Sequence, residues 1–119
     1  MPRDYEVSLV DLLEAAGWIE TYVAGFTLEQ FRADRKTRDA VIRNLEVIGE
    51  AVKNVPADIR LRHPLVPWQR IAGLRDILIH EYFGVDEEII WDIVQNKLPK
   101  FTEQVTAILS NLKNPQEEK

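Results

Sequence analysis

The chain has 119 residues, 45% of them hydrophobic, with a formal charge of -5, two histidines and no cysteine. That length suits one domain with a single modest core, and the missing cysteines exclude disulfides, thiol nucleophiles and thiolate metal sites. A histidine-rich metal cage within one subunit is not expected, and the acidic balance argues against a broad, non-specific nucleic-acid binder.

The first periodic segment runs from about Asp4 to Ala24, where Leu9, Leu12, Leu13, Ala16, Ile19 and Val23 recur at helical steps. Gly25 is placed to end it. Thr27-Leu-Glu-Gln30 reads as a capping box, with Thr27 as N-cap and Gln30 reaching back. The helix it opens carries Phe31, Val41, Leu45, Ile48 and Val52 and is expected over Leu28 to about Val55. Asp34 to Thr37 is where it could break. Gly49 inside it is best explained by a close helix crossing.

Pro56, Pro64 and Pro67 frame an irregular stretch holding a short helix around Asp58 to Arg62. Pro67 suits a first helical position, and Trp68, Ile71, Leu74 and Leu78 share a face of a helix reaching about His80 or Tyr82. Phe83-Gly84 supplies an exit. Asp86 can cap the last segment, with Val85 and Ile90 as a hydrophobic staple. Ile89, Ile90, Ile93 and Val94 are expected inside, and Pro99 should kink this helix or start another. Phe101, Val105, Ile108 and Leu109 complete the apolar face.

No segment alternates at period two between turn signals, and no glycine-rich loop follows a strand. The expected fold is all-α, an antiparallel bundle of four main helices plus a short one. It should occupy residues 1–113 as one domain, with 114–119 a flexible polar tail. Four helices leave a thin core, so a symmetric dimer burying a further face is expected. No apolar run reaches the roughly 18 residues that span a bilayer. The opening Met-Pro-Arg-Asp-Tyr-Glu lacks a signal-peptide apolar region, so no membrane association and a cytoplasmic location are expected.

Charge is unevenly placed. Arg60, Arg62, Arg70 and Arg75, with His63, meet no acid between Arg60 and Arg75, whereas acids dominate from Asp76 to Asp92. Arg32, Arg35, Lys36, Arg38 and Arg43 form a second cluster, diluted by Asp34 and Asp39. A narrow electropositive site fits this pattern and a long basic groove does not.

The segment Arg75-Asp-Ile-Leu-Ile-His80-Glu-Tyr82 concentrates the usable chemistry. On a helix Arg75 and His80 are about 7.5 Å apart along the axis and about 140° apart around it. Asp76 and His80 are four residues apart and fall together. The carboxylate could fix the imidazole tautomer and keep it ready for proton transfer, while Arg75 offers a rigid fork for phosphate. These are the parts of a metal-free phosphodiester cleavage in which an RNA 2′-hydroxyl attacks. One subunit supplies one such histidine, so a two-fold interface pairing two copies of Arg75 and His80 would provide both acid and base.

The same residues also admit plainer readings. Arg75, Asp76 and His80 could be a helix-surface network, Tyr82 a helix-end aromatic and His63 a loop residue. Trp68 and Trp91 are explained by packing before base stacking. Glu50 is either a surface carboxylate or the partner of an arginine near the centre.

Read with its flanks, Gly73-Leu-Arg75-Asp-Ile-Leu-Ile-His80-Glu-Tyr82-Phe-Gly-Val-Asp86 resembles the HepT-like branch of the HEPN superfamily, whose signature is Arg-x4-His-x-Tyr. Ile48-Gly-Glu-Ala51, Asp39-Ala-Val-Ile-Arg43, Ile90-Trp91 and Leu98-Pro99 resemble its other landmarks, so the likeness covers nearly the whole chain. The resemblance implies a helical homodimer with Arg75 and His80 facing a shared cleft. It also implies a metal-independent endoribonuclease without cofactor, the toxin of a type II or type VII-like toxin–antitoxin module. Asp76 would belong to that site; Glu50, if it pairs with an arginine there, is a candidate supporting residue on its own chemistry. The partner implied is an MNT-type nucleotidyltransferase antitoxin, which in some pairs adenylylates the tyrosine matching Tyr82. The alternative is a non-catalytic helical RNA- or protein-binding subunit of a nucleotidyltransferase complex.

Overall fold

A computed structural model describes residues 4–80 and 87–113, apart from the side chains of Ile77, Ile79, His80 and Lys113. Helix α1 spans Asp4–Val23. Its expected stripe of Leu9, Leu12, Ala16, Ile19 and Val23 is buried, with Leu13 partly covered. Gly25 then takes φ 77°, a left-handed turn in which a Cβ would be strained.

The capping box forms as expected. Gln30 N donates to Thr27 Oγ1 at 3.2 Å and Thr27 N donates to Gln30 Oε1 at 2.9 Å. It opens α2, Leu28–Ala33. The single helix expected from Leu28 to Val55 then divides at Asp34, inside the stretch where a break was conceivable. Asp34 N donates to Gln30 O at 3.1 Å, closing α2. Its Oδ1 accepts from Thr37 N at 3.1 Å, capping α3, Arg35–Lys53. One residue with extended backbone (φ -107°, ψ 92°) therefore satisfies orphan groups of two helices. The bond from the Thr37 amide holds the Asp34 carboxyl below its ordinary range.

Helix α3 is the centre of the bundle, packed along α1 on one side and along α5, Trp68–His80, on the other. Val41, Leu45, Ile48 and Val52 are fully buried there. The last carbonyls of α3 are met by Arg60 from α4, Ala57–Arg62. Its Nη2 donates to Val52 O at 2.8 Å and its Nε donates to Val55 O at 3.0 Å. A cation at a helix C-terminus also opposes the dipole. Arg60 thus leaves the basic cluster that the sequence pattern drew around Arg75 and serves the fold.

Pro67 precedes α5, accepting from Ile71 N at 3.1 Å. This is one residue before the expected first helical position, within the usual play of helix ends. Trp68, Ile71, Leu74 and Leu78 are buried as expected. Trp68 packs edge-on against Phe101 with centroids 6.3 Å apart, and its Nε1 donates to the His63 carbonyl at 3.0 Å. Trp91 lies against Phe31 at 5.3 Å. Both tryptophans are packing residues, and His63 is the loop residue following α4.

The last segment contains α6, Glu87–Asp92, a widened π turn, Ile93–Lys97, and α7, Leu98–Lys113. Leu98 N donates to Ile93 O, five residues back. Pro99 has no N–H and its ring would strike the carbonyl four residues earlier in a regular helix. The extra residue in the preceding turn absorbs that conflict, so the chain continues with an adjusted turn. Ile90 and Val94 face the core, but Ile89 is 60% exposed, contrary to expectation. Consecutive helical residues point about 100° apart, and with Ile90 seated inward Ile89 is turned out. Phe101, Val105 and Ile108 are buried, and Leu109 is partly so.

Among the described residues every regular element is helical, in agreement with the expected all-α bundle. None of these helices is long and apolar enough to cross a membrane. The expected Phe83-Gly84 exit, the Asp86 cap with its Val85 staple, and the tail 114–119 lie outside the described residues.

Candidate active site

The site is built where α3 and α5 cross, and Gly49 permits the approach. A Cβ at Gly49 would lie 3.0 Å from Arg75 N, 3.1 Å from Arg75 Cβ and 3.2 Å from Ile71 O. The bland explanation of this glycine, a close crossing, is the observed one. It sets the next residue, Glu50, opposite Arg75.

Glu50 Oε2 accepts from Arg75 Nε at 2.9 Å. Both readings left open for Glu50 meet here: it is a surface carboxylate, 56% exposed, and it pairs with an arginine. Arg75 Nη1 is also 3.8 Å from Asp76 Oδ1, and Lys53 Nζ donates to that same oxygen at 3.2 Å. Four residues from two helices therefore form one chain of alternating charge, Glu50–Arg75–Asp76–Lys53. Their side chains are 36% to 56% exposed. Ion pairs so exposed contribute about 0–1 kcal/mol each to stability. Holding the bundle together is a weak explanation for the network, and orienting Arg75 is a better one.

Arg75 opens onto a cleft of about 370 Å³ between α1, α3 and α5, with Asp11, Arg43 and Glu46 among the residues lining it. Arg43 Nη1 lies 3.6 Å from Glu46. The cleft lining is mixed in charge, two guanidiniums (Arg43 and Arg75) among three carboxylates (Asp11, Glu46 and Glu50). The narrow electropositive site expected from the charge pattern is therefore not found in this lining.

The structure brings Arg75, Asp76 and Glu50 together. Helix α5 continues through His80, which keeps the helical spacing from Arg75 and from Asp76, but the His80 side chain is outside the described residues, as is all of Tyr82. Lys53 was missed. The signal available was its position three residues after Glu50, on the same side of α3. No group of three or more His, Cys, Asp or Glu that could hold a metal ion occurs among the described residues.

Residues 12–108 match the family model described as Ribonuclease HepT-like. The chain is 47% identical to a Methanocaldococcus jannaschii protein provisionally named an RNase, over 98% of each chain. It is 44% identical to a provisionally named RNase of Caldanaerobacter subterraneus subsp. tengcongensis, over 94% of this chain and 97% of that one. It is 46% identical to a probable ribonuclease HepT of Thermococcus cleftensis, over 83% of this chain and 90% of that one. No solved structure is a significant match.

Proposed function

The chain belongs to the HepT-like ribonuclease family, and on that premise we propose that it is a metal-independent endoribonuclease cutting RNA by internal transfer at Arg75 and His80. The observation that carries this reading is Arg75 itself. It is a half-exposed guanidinium on the family's motif, oriented by Glu50 at 2.9 Å and facing an open cleft.

In the proposed reaction one His80 removes the proton of a ribose 2′-hydroxyl, and O2′ attacks the adjacent phosphorus. Arg75 stabilises the charge that builds on the phosphorane oxygens. The P–O5′ bond breaks as a second His80, from the other copy in a two-fold dimer, gives its proton to the leaving oxygen. The products are a 2′,3′-cyclic phosphate and a 5′-hydroxyl. Asp76, four residues before His80 on the same helix, orients the imidazole.

We place this activity in a toxin–antitoxin module with an MNT-type nucleotidyltransferase. Adenylyl transfer from ATP to the Tyr82 phenol oxygen, releasing pyrophosphate, would put negative charge beside the cleft and exclude RNA. Co-expression with the nucleotidyltransferase should add one AMP mass to the parent chain and none to Tyr82→Phe; labelling of both would remove Tyr82 from this role. For the cleavage itself, the ends left on total RNA digested in EDTA identify the route. Cyclic phosphate ends are expected, and 3′-hydroxyl ends would rule out internal transfer.

Val7, Val10 and Trp18 on α1 are about half exposed, on a face they share with the exposed Asp11 and Glu14. A partner protein on this face is compatible with both the ribonuclease and the non-catalytic subunit of a nucleotidyltransferase complex. A chain that binds the nucleotidyltransferase yet leaves RNA intact would be that subunit.

A further inference from the structure

Lys53 lies outside the Arg-x4-His-x-Tyr motif, yet its ammonium converges with the Arg75 guanidinium on a single oxygen, Asp76 Oδ1, at 3.2 and 3.8 Å. We propose that Lys53 is the second phosphate-binding cation of the site, and that the Asp76 carboxylate occupies in the free protein the place a substrate phosphate takes. This rests on the ribonuclease reading of Arg75.

Charge gives the first reason. Without Lys53 the cluster of Glu50, Arg75 and Asp76 would carry one positive charge against two negative ones, which repels RNA. Lys53 brings the four residues to neutrality. When the phosphate displaces Asp76, releasing that carboxylate for its proposed part in orienting His80, two cations face the phosphate with only Glu50 still bound to one of them.

Geometry gives the second. Two like charges meet only where an anion lies between them, and a phosphodiester offers two non-bridging oxygens, one for the rigid arginine fork and one for the compact ammonium. Lys53 and Asp76 are 36% and 55% exposed, so the bridge they form is open to a ligand and weak enough to exchange. Lys53 also stands in the last turn of α3, where the helix dipole favours a cation. Arg60 fixes that end by holding the Val52 and Val55 carbonyls.

The test uses the full chain and a fully 2′-O-methylated RNA oligonucleotide, which can bind but cannot be cut. Affinity is measured at several salt concentrations for the parent, Lys53→Gln and Lys53→Arg, beside kcat and KM on unmodified RNA. Lys53→Gln should weaken binding roughly fivefold, raise KM with kcat near the parent's, and flatten the slope of log affinity against log salt by about 0.7. Lys53→Arg should restore all three. If the parent cleaves RNA while Lys53→Gln keeps its affinity and salt slope, Lys53 is wrongly assigned and the ribonuclease reading stands. A lowered melting temperature that Lys53→Arg does not repair, with binding still weak, would mark Lys53 as a structural tether and overturn the assignment. A parent that cleaves no RNA removes both.

Discussion

A Cβ on Gly49 would stand 3.0 Å from the backbone nitrogen of Arg75. The residue without a side chain thus lies where a methyl group would crowd the backbone of the residue proposed to hold the phosphate. The crossing of α3 and α5 that seals the core also sets the distance between Glu50 and Arg75. Stability and site geometry are coupled through one contact.

Gly49→Ala separates the two effects of a methyl group. Alanine favours the helix by about 1 kcal/mol, but here it meets the backbone of α5, which cannot step aside as a flexible side chain would. Overpacking costs about 1–3 kcal/mol. We expect a net loss of roughly 1 kcal/mol in chemical denaturation, with RNA cleavage reduced well below the folded fraction. An unchanged or raised stability would show that α5 yields easily.

Glu50→Ala removes the acceptor from Arg75 Nε and lets the guanidinium swing. Misplacement of a group by about 1 Å can cost on the order of 100-fold, so kcat should fall by roughly 10- to 100-fold with the melting temperature nearly unchanged. Glu50→Gln keeps an acceptor oxygen and should lie between the two. Equal kcat in all three proteins would reduce Glu50 to a surface carboxylate.

Arg75→Lys preserves the charge and removes the fork. A lysine cannot hold Glu50 through one edge and phosphate through another. Cleavage should fall about 100-fold, while binding of uncleavable RNA falls much less. Full activity in the lysine variant would mean that Arg75 acts only as a point charge.

Asp34 governs the junction between α2 and α3, and its pH dependence follows from the Thr37 amide. Because that hydrogen bond depresses the carboxyl pKa in the folded state, the cap contributes above the unfolded value, near about 3.9. Its contribution is lost as pH falls through the lower folded value. Thermal melts should place Asp34→Ala below the parent at pH 7, with the gap closing on acidification below about pH 4. A gap of the same size at pH 3 and pH 7 would contradict the cap.

Much of the fold was written locally. The Thr27–Gln30 box, Gly25 and the buried stripe of Trp68, Ile71, Leu74 and Leu78 needed only spacing and turn chemistry to read. The break at Asp34 was less legible, because Val41, Leu45 and Ile48 continue the helical period after it and hide a change of helix. Ile89 misled because period alone does not say which of two adjacent isoleucines faces inward. The turn before Pro99 depends on how a helix reconciles proline with its own carbonyls. In the site, the motif residues were visible as chemistry, but Glu50–Arg75 joins positions 25 apart and Lys53–Asp76 positions 23 apart. Such pairs follow from the crossing at Gly49, and no local pattern announces them.

The most direct measurement is cleavage of total RNA in excess EDTA by the parent, Arg75→Ala and His80→Ala, with circular dichroism and melting as controls for the fold. The account predicts that the parent cuts RNA without metal and that both variants, folded like the parent, lose cleavage by at least about 100-fold. Equal cleavage by all three proteins, or a folded parent that leaves RNA intact, would contradict it.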